Sequence, residues 1–190
     1  MKNKAAPAPV HSFLAERWSP RSFTEALVSE EQVKALLEAA RWSPSCFNDQ
    51  PWRFIVGLES RDDGRHAAIL ELLAEGNRIW ASRAPLLLIA CAYTRFAHNG
   101  EHNRWAQYDA GDAMMGLSLQ ALTMGLHVHQ MGGFDAEATG RTFSLPKDCV
   151  PMAAAAVGHR GEDLSHLPGW AVDREIQPRD RKPLEDLLIP

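Results

Sequence analysis

Arg41-Trp42-Ser43-Pro44-Ser45-Cys46-Phe47-Asn48-Asp49-Gln50-Pro51-Trp52-Arg53-Phe54 decides how the chain is built, because it sets rigid turn chemistry between a helix and a strand. Pro44 and Pro51 restrict the backbone on both sides of the segment. Ser45, Asn48 and Gln50 supply hydroxyl and amide groups that can meet either the local backbone or a polar planar ligand. The loop reads as a structural corner or as a binding edge, and the residues alone leave both open.

Upstream, Ser29 can cap a helix with Gln32 completing a capping box, and Val33, Leu36, Leu37 and Ala40 share one face until Pro44 ends the helix. A short first helix fits Val10 to Arg17. Downstream, Trp52 to Gly57 is rich in strand formers. Arg61 to Gly76 then predicts a second amphipathic helix, and Asn77 to Ala84 leads into the apolar run Pro85 to Ala92, a buried strand. From Trp105 to Gly125 apolar or small residues occupy nearly every helical face, with Gly111, Met115 and Leu122 opposite Ala110, Ala113, Met114, Leu117 and Ala121. A helix apolar all round is buried all round, and in a chain of 190 residues that points to a second copy, a homodimer. Leu126 to Gln130 predicts a strand and Met131 to Phe134 a turn. A short helix capped by Asp135 follows, then a strand of small residues from Pro151 to Gly158. Beyond Glu162 the periodicity is lost, and such a tail stays ordered only by lying on something.

Composition narrows the function classes. The length suits one domain, residues 10–190, after a lead-in of residues 1–9 that lacks the apolar run of a secretion signal. Lys+Arg 20 against Asp+Glu 24, net charge -4, argues against a nucleic-acid coat. Three cysteines without Cys-x-x-Cys spacing indicate neither a disulfide framework nor a zinc clasp, so a reducing cytoplasm is the expected setting. The longest apolar run is far shorter than the roughly 20 residues of a membrane-spanning helix.

Arg17, Ser19 and Arg21 put two guanidinium groups and a hydroxyl within one short turn, a set suited to holding a phosphate. Arg179 and Arg181 form a second basic cluster. Either cluster alone is compatible with a solvated surface. No Gly-x-Gly-x-x-Gly or Walker-type loop is present, so a phosphate would be held by side chains. His127 and His129 share one face of the predicted strand, and His98 and His102 stand at i, i+4. No third ligand is fixed by spacing, so no metal site is expected.

Arg17-x-Ser19-x-Arg21-x-Phe23, Glu38 to Ser45 and Asn48-x-Gln50-Pro51-Trp52-Arg53-Phe54 together resemble the FMN-dependent nitroreductase family. The resemblance continues through Asn77 to Pro85, Asp109-Ala110-Gly111, Gly125-Leu126, Gly132-Gly133-Phe134 and Arg179-x-Arg181-Lys182-Pro183-Leu184. It implies an α+β subunit with a mixed, mostly antiparallel sheet flanked by helices, in an intertwined homodimer with FMN at the interface. It further implies that Arg17, Ser19, Arg181 and Arg179 are phosphate ligands and that Arg21 reaches the ribityl chain and pyrimidine edge. Asn77 would bond the flavin pyrimidine, and Gly133, beside Gly132, would bring a backbone N–H toward N5. Pro44, Ser45 and Cys46 would be presented by the partner subunit, with Asn48 to Trp52 fixing the turn, and the C-terminal tail would pack on that partner.

The implied activity is an NAD(P)H oxidoreductase passing hydride in ping-pong fashion through flavin N5 to a small acceptor such as a nitroaromatic or quinone, with no indispensable protein acid or base. Another flavoenzyme activity of the fold, or non-enzymatic FMN binding, is the alternative. Two departures bear on substrate: Trp80 stands where several members carry lysine, and Gly132 where they carry glutamate. Arg95 to Arg104 is the one candidate cover over the site.

Overall fold

A computed structural model describes residues 9–189, so most of the expected lead-in lies outside the described residues. The helix before the opening loop, α2 (Glu30–Arg41), forms as its sequence requires. Ser29 Oγ accepts from the Gln32 N–H at 3.2 Å, Gln32 Oε1 accepts from the Ser29 N–H at 2.9 Å, and Val33, Leu36 and Ala40 are buried. The first helix is shorter than expected, α1 (Ser12–Glu16).

Four strands, β1 (Trp52–Leu58), β2 (Leu86–Tyr93), β3 (Leu126–Met131) and β4 (Cys149–His159), make one sheet in the order β1-β2-β4-β3. All three pairings are antiparallel, within the α+β class expected. The register of β2 against β4 slips between Ala90 and Cys91, opposite Pro151. Proline has no N–H for the ladder, so a bulge there is its ordinary consequence.

Alternation along β2 divides the core in two. Leu86 and Leu88 face a layer containing α2 and α5 (Ala106–Thr123), with Val33, Leu36, Ala110 and Leu117. Leu87 and Ile89 face α3 (Arg65–Leu72), α4 (Glu75–Ala81) and α7 (Gly169–Ile176), with Ile69, Trp80 and Ala171. The helices α2 and α5 come close at Gly116, where an added Cβ would lie 3.1 Å from the Ala39 carbonyl oxygen.

Two expectations are corrected. The single helix from Arg61 to Gly76 is two, because Leu73 leaves the helix to bridge Phe134, and the Ala74 and Asp135 N–H groups donate to Gly133 O and Leu72 O at 2.9 Å each. Asn77 therefore sits on α4. The stretch after Glu162 is not without periodicity: Ala171 and Glu175, one turn apart on α7, are both buried. A charged residue at a core-facing position hides the pattern. Within one chain α5 leaves part of its surface uncovered: Tyr108 is 69 % exposed, Gly111 is exposed, and Met115 and Leu122 are half-buried. The short helix after the Gly132-Gly133 turn, α6 (Ala136–Thr142), is capped by Asp135 as expected, through a bond from the Ala138 N–H at 2.8 Å.

Candidate anion-binding cleft

The two ends of the chain meet in a cleft of about 320 Å³, near the lower end of the range for small-molecule sites. Arg17, Trp18, Ser19 and Arg21 line it from the loop after α1, His129 from β3, and Arg174, Gln177 and Pro178 to Arg181 from α7 and its exit. The clusters that spacing alone left as separate surfaces are thus one wall of positive charge.

The guanidinium groups differ in how they are used. An Arg17 Nη1–H donates to Ser19 Oγ at 3.1 Å, which leaves the Ser19 hydroxyl proton to serve as a donor. Burial lowers the Arg17 pKa, and the charges of Arg179 and Arg181 lower it further. Burial also lowers Arg21, against the opposing pull of Glu175. Arg179 spends its fork on the C-terminal carbonyls of α1, donating to Arg17 O and Ala15 O at 2.6 Å each. It contributes charge to the cleft, but its donors hold the helix end. Arg181 donates to Asp180 O at 2.6 Å and is otherwise solvent-facing.

His129 was absent from the expected site. Its Nδ1–H donates to Pro20 O at 2.9 Å, and burial, with Arg21 and Arg17 nearby, brings its pKa down to about 4. It is therefore neutral at pH 7. Its ring packs 4.4 Å from Trp80, whose other neighbours are Phe23 and the Arg21 guanidinium, 5.9 Å from the indole. The Trp80 indole N–H is buried without a partner among the described residues.

Trp80 links the cleft to a second group. One turn earlier on α4, Asn77 Nδ2–H donates to Gly133 O at 2.9 Å. An added Cβ on Gly133 would lie 2.7 Å from that nitrogen, so a larger residue there would push the Asn77 amide aside. Gly132 is exposed with nothing close to where a Cβ would stand.

Pro44, Ser45, Cys46 and Asn48 are not brought to this cleft. They lie in the α2 and α5 layer, on the other face of the sheet, and much of their polarity is spent locally. Ser45 Oγ accepts from the Gln50 N–H at 3.0 Å, the Gln50 side chain donates to Asn48 O at 3.1 Å, and the Cys46 N–H donates to Asp109 Oδ2 at 3.1 Å. Burial, with Asp112 and Asp49 nearby, raises the Asp109 pKa against that bond. Phe47, Asn48 and Gln50 all take positive φ, 55°, 55° and 50°, and Phe47 is left 80 % exposed.

Among the described residues no three His, Cys, Asp or Glu side chains gather as a metal site, and no helix is long and apolar enough to cross a membrane. His127, beside Arg160 and Arg17, has its pKa lowered by burial first and by those charges.

The model of the nitroreductase family matches residues 14–79 and 57–159. An uncharacterized 15.4 kDa protein of Mycolicibacterium smegmatis is 35% identical over 146 residues, 72% of this chain and 94% of that protein. The FMN reductase [NAD(P)H] of Bacillus subtilis is 27% identical over 182 residues, 85% of this chain and 71% of that protein. A crystal structure described as an oxidoreductase containing FMN superposes with a TM-score of 0.91 at 33% identity, over 100% of this chain and 96% of the other. Family model, relatives and fold agree, and the chain belongs to the nitroreductase family.

Proposed function

We propose that the protein is a homodimeric, FMN-dependent NAD(P)H oxidoreductase acting on small acceptors such as nitroaromatics or quinones. The observation that carries this reading is the meeting of Arg17, Ser19, Arg21 and Arg181 in one cleft, where burial lowers the pKa of Arg17 and of Arg21 and the charges of Arg179 and Arg181 lower Arg17 further. Such a set of donors is stabilised by a dianion, and a phosphate monoester fits its charge and geometry.

Arg17, Ser19 and Arg181 would hold the FMN phosphate, with Arg179 adding charge while it fixes the end of α1. Arg21, over Trp80, would face the ribityl chain and pyrimidine edge, and Asn77, Gly132 and Gly133 would flank the ring. Pro44, Ser45, Cys46 and Asn48 would come from the partner subunit, since within one chain they lie across the sheet from the cleft. When bound, FMN supplies hydride acceptance from NADH or NADPH and delivery to the acceptor, in ping-pong order. The chain contributes orientation, positive potential and exclusion of water. His129, neutral and held by Pro20, offers no ready proton at pH 7.

The dimer is supported by apolar surface that one chain leaves uncovered: Trp42 and Phe47 at 77 % and 80 % exposure, the Gly111 face of α5, and Leu187 to Ile189 of the tail. A cytoplasmic setting would supply the nicotinamide donor. Anaerobic addition of NADH and NADPH to the flavin-reconstituted protein tests the activity. Bleaching followed by reoxidation with a nitroaromatic or quinone is expected, whereas a protein that cannot be reconstituted with FMN removes the proposal. Flavin that binds and is never bleached would leave a binding protein.

A further inference from the structure

Residues 17–29 contain no helix, and backbone bonds at the one-residue bridge of Phe23 to Arg160, from Gly161 N–H to Ser22 O and from Thr24 N–H to His159 O, fasten the loop only beyond Arg21. His129 holds Pro20 O from one side, and the segment from Trp18 to Arg21 is held from below as well. Glu175 on α7 is 1 % exposed, and its carboxylate accepts from donors on both sides of Ser19. The Trp18 indole N–H reaches Oε1 at 3.0 Å and the Arg21 backbone N–H reaches Oε2 at 2.9 Å. The Arg160 guanidinium, which also lies over the Trp18 ring, stands 3.4 Å from Oε1.

A buried carboxylate is tolerated only when paired and hydrogen-bonded, and this one is both. Its partners belong to the loop and to the residue after β4, while its own helix ends at Ile176 and leads into Pro178, Arg179 and Arg181. One side chain therefore ties the N-terminal wall of the cleft to the C-terminal wall. Its charge also offsets Arg160 and Arg21, the latter otherwise facing only the repulsion of Arg174 on the opposite wall.

We infer that Glu175 is a positioning residue, a buried carboxylate that locks the Trp18–Arg21 loop to α7 and so presets the cleft for a phosphate-bearing ligand. This rests on the FMN reading of the cleft. Glu175 touches no ligand itself. It makes the site discriminate FMN from riboflavin, which lacks only the phosphate.

Glu175→Gln keeps the shape but sets an N–H₂ group against donors, one of them a backbone N–H fixed by the chain. Affinities for FMN and riboflavin are measured by flavin fluorescence in the wild type, in Glu175→Gln and in Glu175→Asp, which keeps the charge. Thermal protection by inorganic phosphate is measured in parallel. The expected result for Glu175→Gln is FMN binding weakened on the order of 10-fold or more, riboflavin binding changed less than about 2-fold, and phosphate protection largely lost. Glu175→Asp should fall between, and it carries the test if the Gln variant does not fold. Equal weakening for both flavins would reduce Glu175 to a structural residue, and unchanged FMN affinity or intact phosphate protection would overturn the inference. Wild-type protein that binds no FMN sinks only the cofactor reading, because the phosphate measurement still decides the role of Glu175.

Discussion

Arg17, Arg179 and Arg181 carry the same charge and do different work, and substitution should separate them. Arg17→Ala removes a half-buried guanidinium whose neighbours repel it, so FMN affinity should fall by roughly 10-fold or more while thermal stability holds or rises slightly. Arg179→Ala instead frees the α1 carbonyls at Ala15 and Arg17, and the expected loss is stability, about 1–2 kcal/mol by urea unfolding. If Arg179→Ala weakened FMN as much as Arg17→Ala at unchanged stability, the division would be wrong. His129 gives a pH signature. Its folded pKa, about 4, lies below the ordinary 6.5, so between those values the unfolded chain binds the extra proton and stability falls as the solution is acidified. The contribution is complete above pH 6.5, is lost progressively toward pH 4, and amounts to about 3 kcal/mol. His129→Phe should flatten that part of the profile, and an unaltered slope would show that another group is responsible. The arginines were legible because spacing and charge expose them in the sequence. Glu175 and the neutral state of His129 were not, since both depend on what packs around them.

At the level of elements, capping and periodic signals held where no longer-range contact competes with them. The capping box at Ser29, the buried run of β2 and the Asp135 cap stand where hydrophobic and capping patterns put them. The signal failed at Leu73, where pairing with Phe134 outweighs helical continuation. It failed again on α7, where the buried position one turn after Ala171 is a glutamate. The break at Leu73 matters for the site, because it creates a new helix start that brings Asn77 against Gly133. Gly133→Ala tests that contact. The methyl group would lie 2.7 Å from Asn77 Nδ2, so the amide must turn away and lose its bond to Gly133 O. A destabilisation on the order of 1–2 kcal/mol is expected in denaturant unfolding. Gly132→Ala, with open space at its Cβ, serves as the control and should be nearly neutral.

For the whole molecule, the decisive fact is that the proposed ligand groups lie on two faces of one sheet. The cleft and Asn77 are on the side of α4 and α7, whereas Pro44 to Asn48 are on the side of α2 and α5. On the proposed reading, one ligand meets both because the second set comes from another copy. The sequence held half of this, in a helix too apolar for a single small chain, and left the other half to the three-dimensional arrangement of faces. Gly111 offers a clean test. It is exposed on α5 with nothing near its Cβ position, beside half-buried Met115 and exposed Tyr108. Gly111→Arg should improve the helix of the isolated chain, glycine being about 1 kcal/mol poorer than other residues in a helix interior. The same change sets a charge on the face proposed to meet the partner. Sedimentation should therefore show a folded monomer in place of a dimer. Phosphate protection, which needs only the one-chain cleft, should persist while affinity for the whole flavin collapses. A variant that stays dimeric and keeps its flavin would place the interface elsewhere and return Pro44 to Asn48 to a purely structural role.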